Sequence, residues 1–173
     1  RCESESKVFE VSSVTGDGIN ALKSHLESLR PKGRDQALKR GFRLSIDRRF
    51  HVTGAGLVVT GTASTGTINV GNHLILQPQG LEVRVRELRA NAAVATTASA
   101  GQRVALCLAG KVELRNIERG DCLVEPHLDR LSRRLDVQVT LLSEAPTPLK
   151  HLVPVKLYKE TRRVSAKVAL IEI

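Results

Sequence analysis

The chain has 173 residues, 41% of them hydrophobic, and carries 27 Lys and Arg against 18 Asp and Glu, a formal net charge of +9. That length suits one ordinary domain or two small ones without cross-links, and no apolar run approaches the roughly 20 residues of a membrane-spanning helix. The positive balance favours a polyanionic partner, nucleic acid or an anionic membrane surface, while Phe9, Phe42, Phe50 and Tyr158, the only aromatics, argue against broad base-stacking platforms.

In chain order, Lys7 to Val11 alternates weakly and predicts a short strand. Ser12 to Gly18 is turn chemistry, and Ile19, Leu22, Leu26 and Leu29 then recur at helical spacing until Pro31 stops the run. Strand, loop and amphipathic helix make one terminal unit of an α/β sheet, over 1–31, followed by a basic, apolar-poor linker over 32–40. From Gly41 the pattern changes to short strands, expected at 42–52, 56–63, 67–69, 72–77, 81–89, 102–109 and 121–124. Gly66, Gly71, Gly80, Gly101, Gly110 and Gly120 punctuate them. Residues 41–127 therefore predict an antiparallel β-barrel or sandwich, and a barrel would remove the edges of these Val-rich strands. A second polar link covers 128–134. Leu135 to Leu141 alternates cleanly, a proline-bearing loop spans 145–149, and strands are expected at 153–158 and 164–173. The strongly apolar end, Val168 to Ile173, calls for a further partner strand, so 135–173 predicts the start of an incomplete second sheet. The chain opens at Arg1 and contains no methionine, which reads as an internal segment of a longer protein.

Asp47, Arg48 and Arg49 stand in the first of these strands. Strict alternation puts 47 and 49 on one side and 48 on the other, so one arginine must lie near the interior or the rim. A guanidinium presents a fixed fork of donors suited to an anion, and Asp47 is placed to orient it. A plain surface ion pair fits the same residues. Arg103, alone at the start of an apolar strand, has the same two readings. Gly54, Gly56 and Gly61 mark a tight turn, with close approach by a ligand or another backbone as the sharper alternative. Arg84 and Arg86 share a face opposite Val83 and Val85. That face, and a second basic group of Lys156, Lys159, Arg162, Arg163 and Lys167, reads either as solvated surface or as an RNA-backbone contact. Cys2, Cys107 and Cys122 lack metal-binding or redox spacing, and the odd count suits a reducing cytosol. The five histidines do not have metal-ligand spacing, and no catalytic triad, Cys-His pair or carboxylate pair emerges. No catalytic or metal-binding residue is assigned.

The stretch from Gly41 to Thr62, with Ile46-Asp47-Arg48-Arg49-Phe50 and Gly54-Ala55-Gly56-Leu57-Val58-Val59-Thr60-Gly61-Thr62, resembles the second domain of translational GTPases. The motif Val58-Val59-Thr60-Gly61 is shared across that superfamily, and the Asp-Arg pair is closer to the selenocysteine-specific elongation factors. Val11 to Leu22 resembles the superfamily's last nucleotide-binding motif and following helix. Ala100 to Leu106 and Ile117 to Asp121 resemble later strands of the barrel, and 135–173 the opening of a third, also β-barrel, domain. The resemblance implies a mainly β fragment: the end of a GTPase domain, a complete second domain and part of the third. It further implies that Asp47, Arg48 and Arg103 form the aminoacyl pocket, with the hairpin of Gly54 and Gly56 passing close to the ester. Ser12, Ser13 and Val14 would border a guanine base. Arg84, Arg86, Lys156, Arg162 and Arg163 are candidates for contacts to the tRNA backbone.

The same resemblance implies selenocysteinyl-tRNA and the ribosome as partners, a cytoplasmic location, and a messenger RNA hairpin bound through a region outside this chain. GTP and magnesium would belong to the full-length protein. The sequence contains no phosphate-binding loop, so no cofactor is expected here. Other readings of the sequence are a Tu-like or initiation-factor-like barrel, and a barrel that binds ribosomal or regulatory protein. Adhesion to a membrane surface finds no basic amphipathic helix to support it.

Overall fold

The computed structural model describes residues 7–29, 33–145 and 147–171. Cys2, Pro31, Pro146, Glu172 and Ile173, which carry a thiol, a helix stop, a loop proline and a strand end in the sequence reading, lie outside them. The chain divides into two compact units, Arg1–Arg34 and Asp35–Ile173.

In the first unit the 3.6-residue periodicity forms α1 (Ile19–Ser28). Gly18 precedes it at φ +70°, where an added Cβ would strike the Glu10 carbonyl, so the sharp entry requires glycine. The strand expected at 7–11 is not formed. Without a neighbouring strand to take its backbone hydrogen bonds, this segment runs beside α1, with the Phe9 and His25 rings 5.0 Å apart.

A short helix, α2 (Arg34–Leu38), spans the boundary at Arg34 and Asp35, inside the stretch expected to be a linker. A mainly β architecture follows. Its strands are β1 (Arg43–Val52), β2 (Gly56–Thr65), β3 (Thr67–Asn69), β4 (His73–Gln77), β5 (Leu81–Ala90), β6 (Ala93–Ala95), β7 (Thr97–Ser99), β8 (Arg103–Ala109) and β9 (Cys122–Val124). They pair antiparallel in the order β4-β9-β1-β2-β8-β5, and β4 also pairs with β5, closing a six-stranded barrel. β6 prolongs the sheet beyond β5, and β3 and β7 form a separate ribbon. The two short strands β6 and β7 have weak signals in the sequence, because alanine is a poor strand former. Phe42, Leu44, Ile46, Val59, Leu74, Leu76, Val85, Leu106 and Leu123 are among the residues that fill the barrel. Closure protects the backbone edges of these apolar strands.

β10 (Val153–Lys159) and β11 (Arg162–Val168) form an antiparallel hairpin. Its register sorts Val153, Val155, Leu157, Val164, Ala166 and Val168 to one face. Lys156, Tyr158, Arg163 and Lys167 share the other. The clean alternation at 135–141 does not become a strand, since none of the described residues pairs with it. Periodicity marks a face, and a strand also needs a partner.

Three breaks in register interrupt the barrel's ladders. One lies between Arg43 and Leu44 in β1, a second between Ile46 and Arg48 in the same strand, making Asp47 an extra residue, and the third at Arg86 in β5. A β-bulge of this kind shifts which side chains face out.

Candidate functional site

The bulge overturns the strict alternation expected for Asp47, Arg48 and Arg49. Ile46 points into the core, and Arg48 pairs in register with Thr60, two rungs before Val58. Asp47 sits with Thr60 as well: the Thr60 hydroxyl donates to Asp47 Oδ1 at 2.7 Å. Asp47 and Arg48 therefore share the outer face of the barrel. Arg49 follows the inward parity, but at the barrel end, where its guanidinium donates to the Leu114 carbonyl.

Arg103 reaches the same point from β8. Its guanidinium grips Asp47 in a fork, one arm to Oδ2 and Nη2 to Oδ1 at 3.0 Å. The ladder explains the meeting of residues 56 positions apart in sequence, since Thr62 pairs with Arg103 and Thr60 with Ala105. Burial, the largest single influence, acts to raise the Asp47 pKa. The hydrogen bonds from Arg103 and Thr60, with the charges of Arg103 and Arg48, outweigh it and hold the carboxyl below its ordinary 3.8. A depressed folded-state pKa means stability that is complete above the ordinary value and lost as pH falls through the lower one. Acid titration of unfolding should therefore show a loss below about pH 4 that Asp47→Asn removes. Identical acid limbs in the two proteins would contradict the pairing.

Next to this cluster on the outer face lies a groove of about 320 Å³, lined by Phe50, Val52, Ala55, Val58, Leu88, Ala105 and Cys107, with Glu87 and Arg89 at its side. The rows Arg48–Thr60–Ala105–Arg89 and Phe50–Val58–Cys107–Glu87 cross four strands in register, so charged cluster and apolar groove are contiguous. Cys107 is buried, which pushes its thiol pKa up, and it donates to the Ala55 carbonyl at 2.8 Å. Gly54 and Gly56 turn the β1–β2 hairpin at φ +83° and +92°, and open space lies where their Cβ atoms would be.

The remaining candidates fall elsewhere. Ser12, Ser13 and Val14 belong to a turn held by its own bonds, such as Thr15 N–H to Ser12 Oγ at 3.1 Å and Thr15 Oγ1 to Asp17 at 2.6 Å. Val14 is fully outward. Arg84 and Arg86 are exposed opposite buried Val83 and Val85. Lys156 and Arg163 are exposed on the polar face of the β10–β11 hairpin. Arg162 differs, because its guanidinium is 3.2 Å from the buried Asp121 carboxylate and is engaged within the chain. Sequence reading missed Thr60, Phe50, Glu87 and Cys107. Their signal is the register across four strands, which no single strand's pattern contains.

No protein-family model matches the chain. The selenocysteine-specific elongation factor of Escherichia coli is 40% identical over 168 residues, covering 97% of this chain and 26% of that protein. The factor of the same description from Desulfomicrobium baculatum is 34% identical over 165 residues, covering 95% of this chain and 26% of its own length. The chain belongs to the selenocysteine-specific elongation factor family. A crystal structure of a bacterial selenocysteine-specific elongation factor superposes over 98% of this chain and 28% of its own, with a TM-score of 0.78 and 25% identity. The chain thus spans about a quarter of the length of these selenocysteine-specific elongation factors.

Proposed function

We propose that this chain is the part of a selenocysteine-specific elongation factor that holds the aminoacyl end of selenocysteinyl-tRNA on the outer face of its barrel. The whole protein then delivers that tRNA to the ribosome in a GTP-dependent manner, in the cytoplasm. On this reading 1–31 is the end of the GTPase domain, 41–127 the second domain and 135–173 the start of the third. The observation that carries it is the Asp47–Arg103 fork, with Arg48 adjacent, opening onto an apolar groove.

The chemistry follows from charge. A selenol is more acidic than a thiol and is an anion near neutral pH, whereas a serine hydroxyl stays neutral. The Arg103 guanidinium held in place by Asp47, with the Arg48 charge beside it, favours the anion and offers the alcohol much less. One methylene of extra contact gives only about 1–3 kcal/mol, too little for strong discrimination. The groove beside the cluster offers a flat, mostly apolar seat with Glu87 as acceptor, a shape that suits the base at the end of a nucleotide chain. Exposed Arg84 and Arg86, and Lys156 and Arg163 on the hairpin, supply charge for the phosphates.

GTP and magnesium are assigned to the full-length protein. The residues present fit only the base edge of the nucleotide, through Ser12, Ser13 and Val14; the chain has no phosphate cradle.

Filter binding of this chain to selenocysteinyl-tRNA and seryl-tRNA across a salt series tests the reading. Selenocysteinyl-tRNA is expected to bind tighter at every salt concentration, with both affinities falling steeply as salt rises. Equal affinity for the two tRNAs would remove the selenocysteine assignment, and salt-independent binding would remove the phosphate contacts.

A further inference from the structure

The β10–β11 hairpin meets the barrel directly behind the bulge. Ile46, the residue before Asp47, is held from both ends: its N–H donates to the Asp121 carbonyl at 2.8 Å, and its carbonyl accepts the Gly120 N–H at 2.8 Å. That carbonyl also accepts the Thr161 hydroxyl at 3.0 Å, a bond spanning 115 residues. Thr161 lies at the hairpin tip, between β10 and β11. Its neighbour Arg162 contacts Asp121 Oδ1 at 3.2 Å, while Oδ2 of the same carboxylate accepts Gln79 Nε2 and the Glu118 N–H, each at 2.8 Å. Asp121 is 3% exposed, so its carboxylate is shielded from water, while Arg162 reaches it from a side chain that is itself partly exposed. Gly120, at φ +95°, lies under the tip, where an added Cβ would come within 2.9 Å of Arg162 Cα.

We propose that Thr161 and Arg162 are positioning residues for the aminoacyl site: the hairpin tip sets the direction of the Ile46–Asp47 peptide and thereby aims Asp47 at Arg103. The physical link is the planar peptide. The Ile46 carbonyl and the Asp47 N–H belong to one rigid plane, so a donor that fixes the carbonyl also fixes the bond leading to the Asp47 Cα. Elsewhere in a strand the ladder would do this, but at a bulge the extra residue has no partner opposite it. The direction of the Asp47 side chain therefore depends on what holds Ile46 from behind. The hairpin contributes through the Thr161 hydroxyl directly and through Arg162 by way of Asp121.

Only the binding half of the test rests on the proposed function. In the chain, the Asp47 carboxyl is titrated by carbon NMR in the unchanged protein and in Thr161→Val, Thr161→Ser and Arg162→Gln. The charged groups acting on Asp47 are Arg48 and Arg103, with Thr60 as a neutral donor. Thr161→Val keeps the shape and loses the donor, so its midpoint is expected to move up as the grip of Arg103 loosens. Arg162→Gln is expected to move it in the same direction, and Thr161→Ser, which keeps the hydroxyl, to leave it in place. Midpoints unmoved in both Thr161→Val and Arg162→Gln would overturn the positioning role. In parallel, Thr161→Val is expected to reduce the preference for selenocysteinyl-tRNA over seryl-tRNA roughly three- to tenfold, the scale of one ordinary hydrogen bond. A moved midpoint with unchanged tRNA preference upholds the positioning role and overturns the functional reading alone.

Discussion

Arg103→Ala is expected to weaken selenocysteinyl-tRNA binding by about 1.5–3 kcal/mol, the scale of a hydrogen bond to a charged group, or roughly 10- to 150-fold. Seryl-tRNA should lose far less, because a neutral hydroxyl draws little from a guanidinium. Removing Arg103 also strips Asp47 of its fork and leaves a carboxylate facing an incoming anion. Arg48→Ala is expected to act in the same direction, since Arg48 stands on the same face and its charge already acts on Asp47. Arg84→Ala, on an exposed face of β5, serves as the comparison and should lower both affinities alike. The measurement is the ratio of the two dissociation constants at one fixed salt concentration. A ratio that stays constant in Arg103→Ala would end the pocket assignment and leave the family membership standing.

Gly61→Ala is expected to cost about 3 kcal/mol, the upper end of overpacking, because the obstacle is backbone. Gly61 lies within β2, opposite Ile46 and beside the bulge at Asp47. A Cβ there would overlap the Ser45 carbonyl and come within 2.9 Å of Leu44 Cδ2. Both neighbours are buried, and Ser45 is paired to β9 as well as to β2, so neither can retreat. Thermal unfolding followed by circular dichroism should show a midpoint lower by on the order of 10 °C. A change of a degree or two would mean that the bulge relaxes to admit a methyl group. Gly54→Ala makes a useful contrast. That site has open space, and the cost comes only from its left-handed backbone, about 1 kcal/mol.

Gly61 also shows where sequence reading stops. It falls inside the strand expected at 56–63, but its close contact with Ser45, 16 positions away, is not contained in that strand's own pattern. The strands from Gly41 to Val124 were legible because each buries one face, and burial imposes a two-residue period. β1 and β5 could be located in this way. Their bulges could not, since an extra residue such as Asp47 or Arg86 is defined by the neighbouring strand. The reverse happened at 135–141, where a clean period exists without a pairing strand. Asp47, Arg48 and Arg103 were candidates on their own chemistry, and only their grouping into one pocket entered through family resemblance. The fork between 47 and 103 follows from β1, β2 and β8 lying side by side, a fact of topology. Asp121 read only as part of a later barrel strand, and its partners Gln79 and Arg162 come from distant parts of the chain.

The outer-face cluster has a simple charge count. Asp47 contributes one negative charge, and Arg48 and Arg103 one positive charge each, so the group is left with a single unit in surplus. One monoanion brings it to neutrality. A neutral side chain leaves the surplus uncompensated, and a dianion, such as a phosphorylated hydroxyl, overshoots it while bringing its second charge against Asp47. The carboxylate thus does more than steady an arginine. It turns a doubly positive patch into one whose surplus a single monoanion neutralises and a dianion overfills.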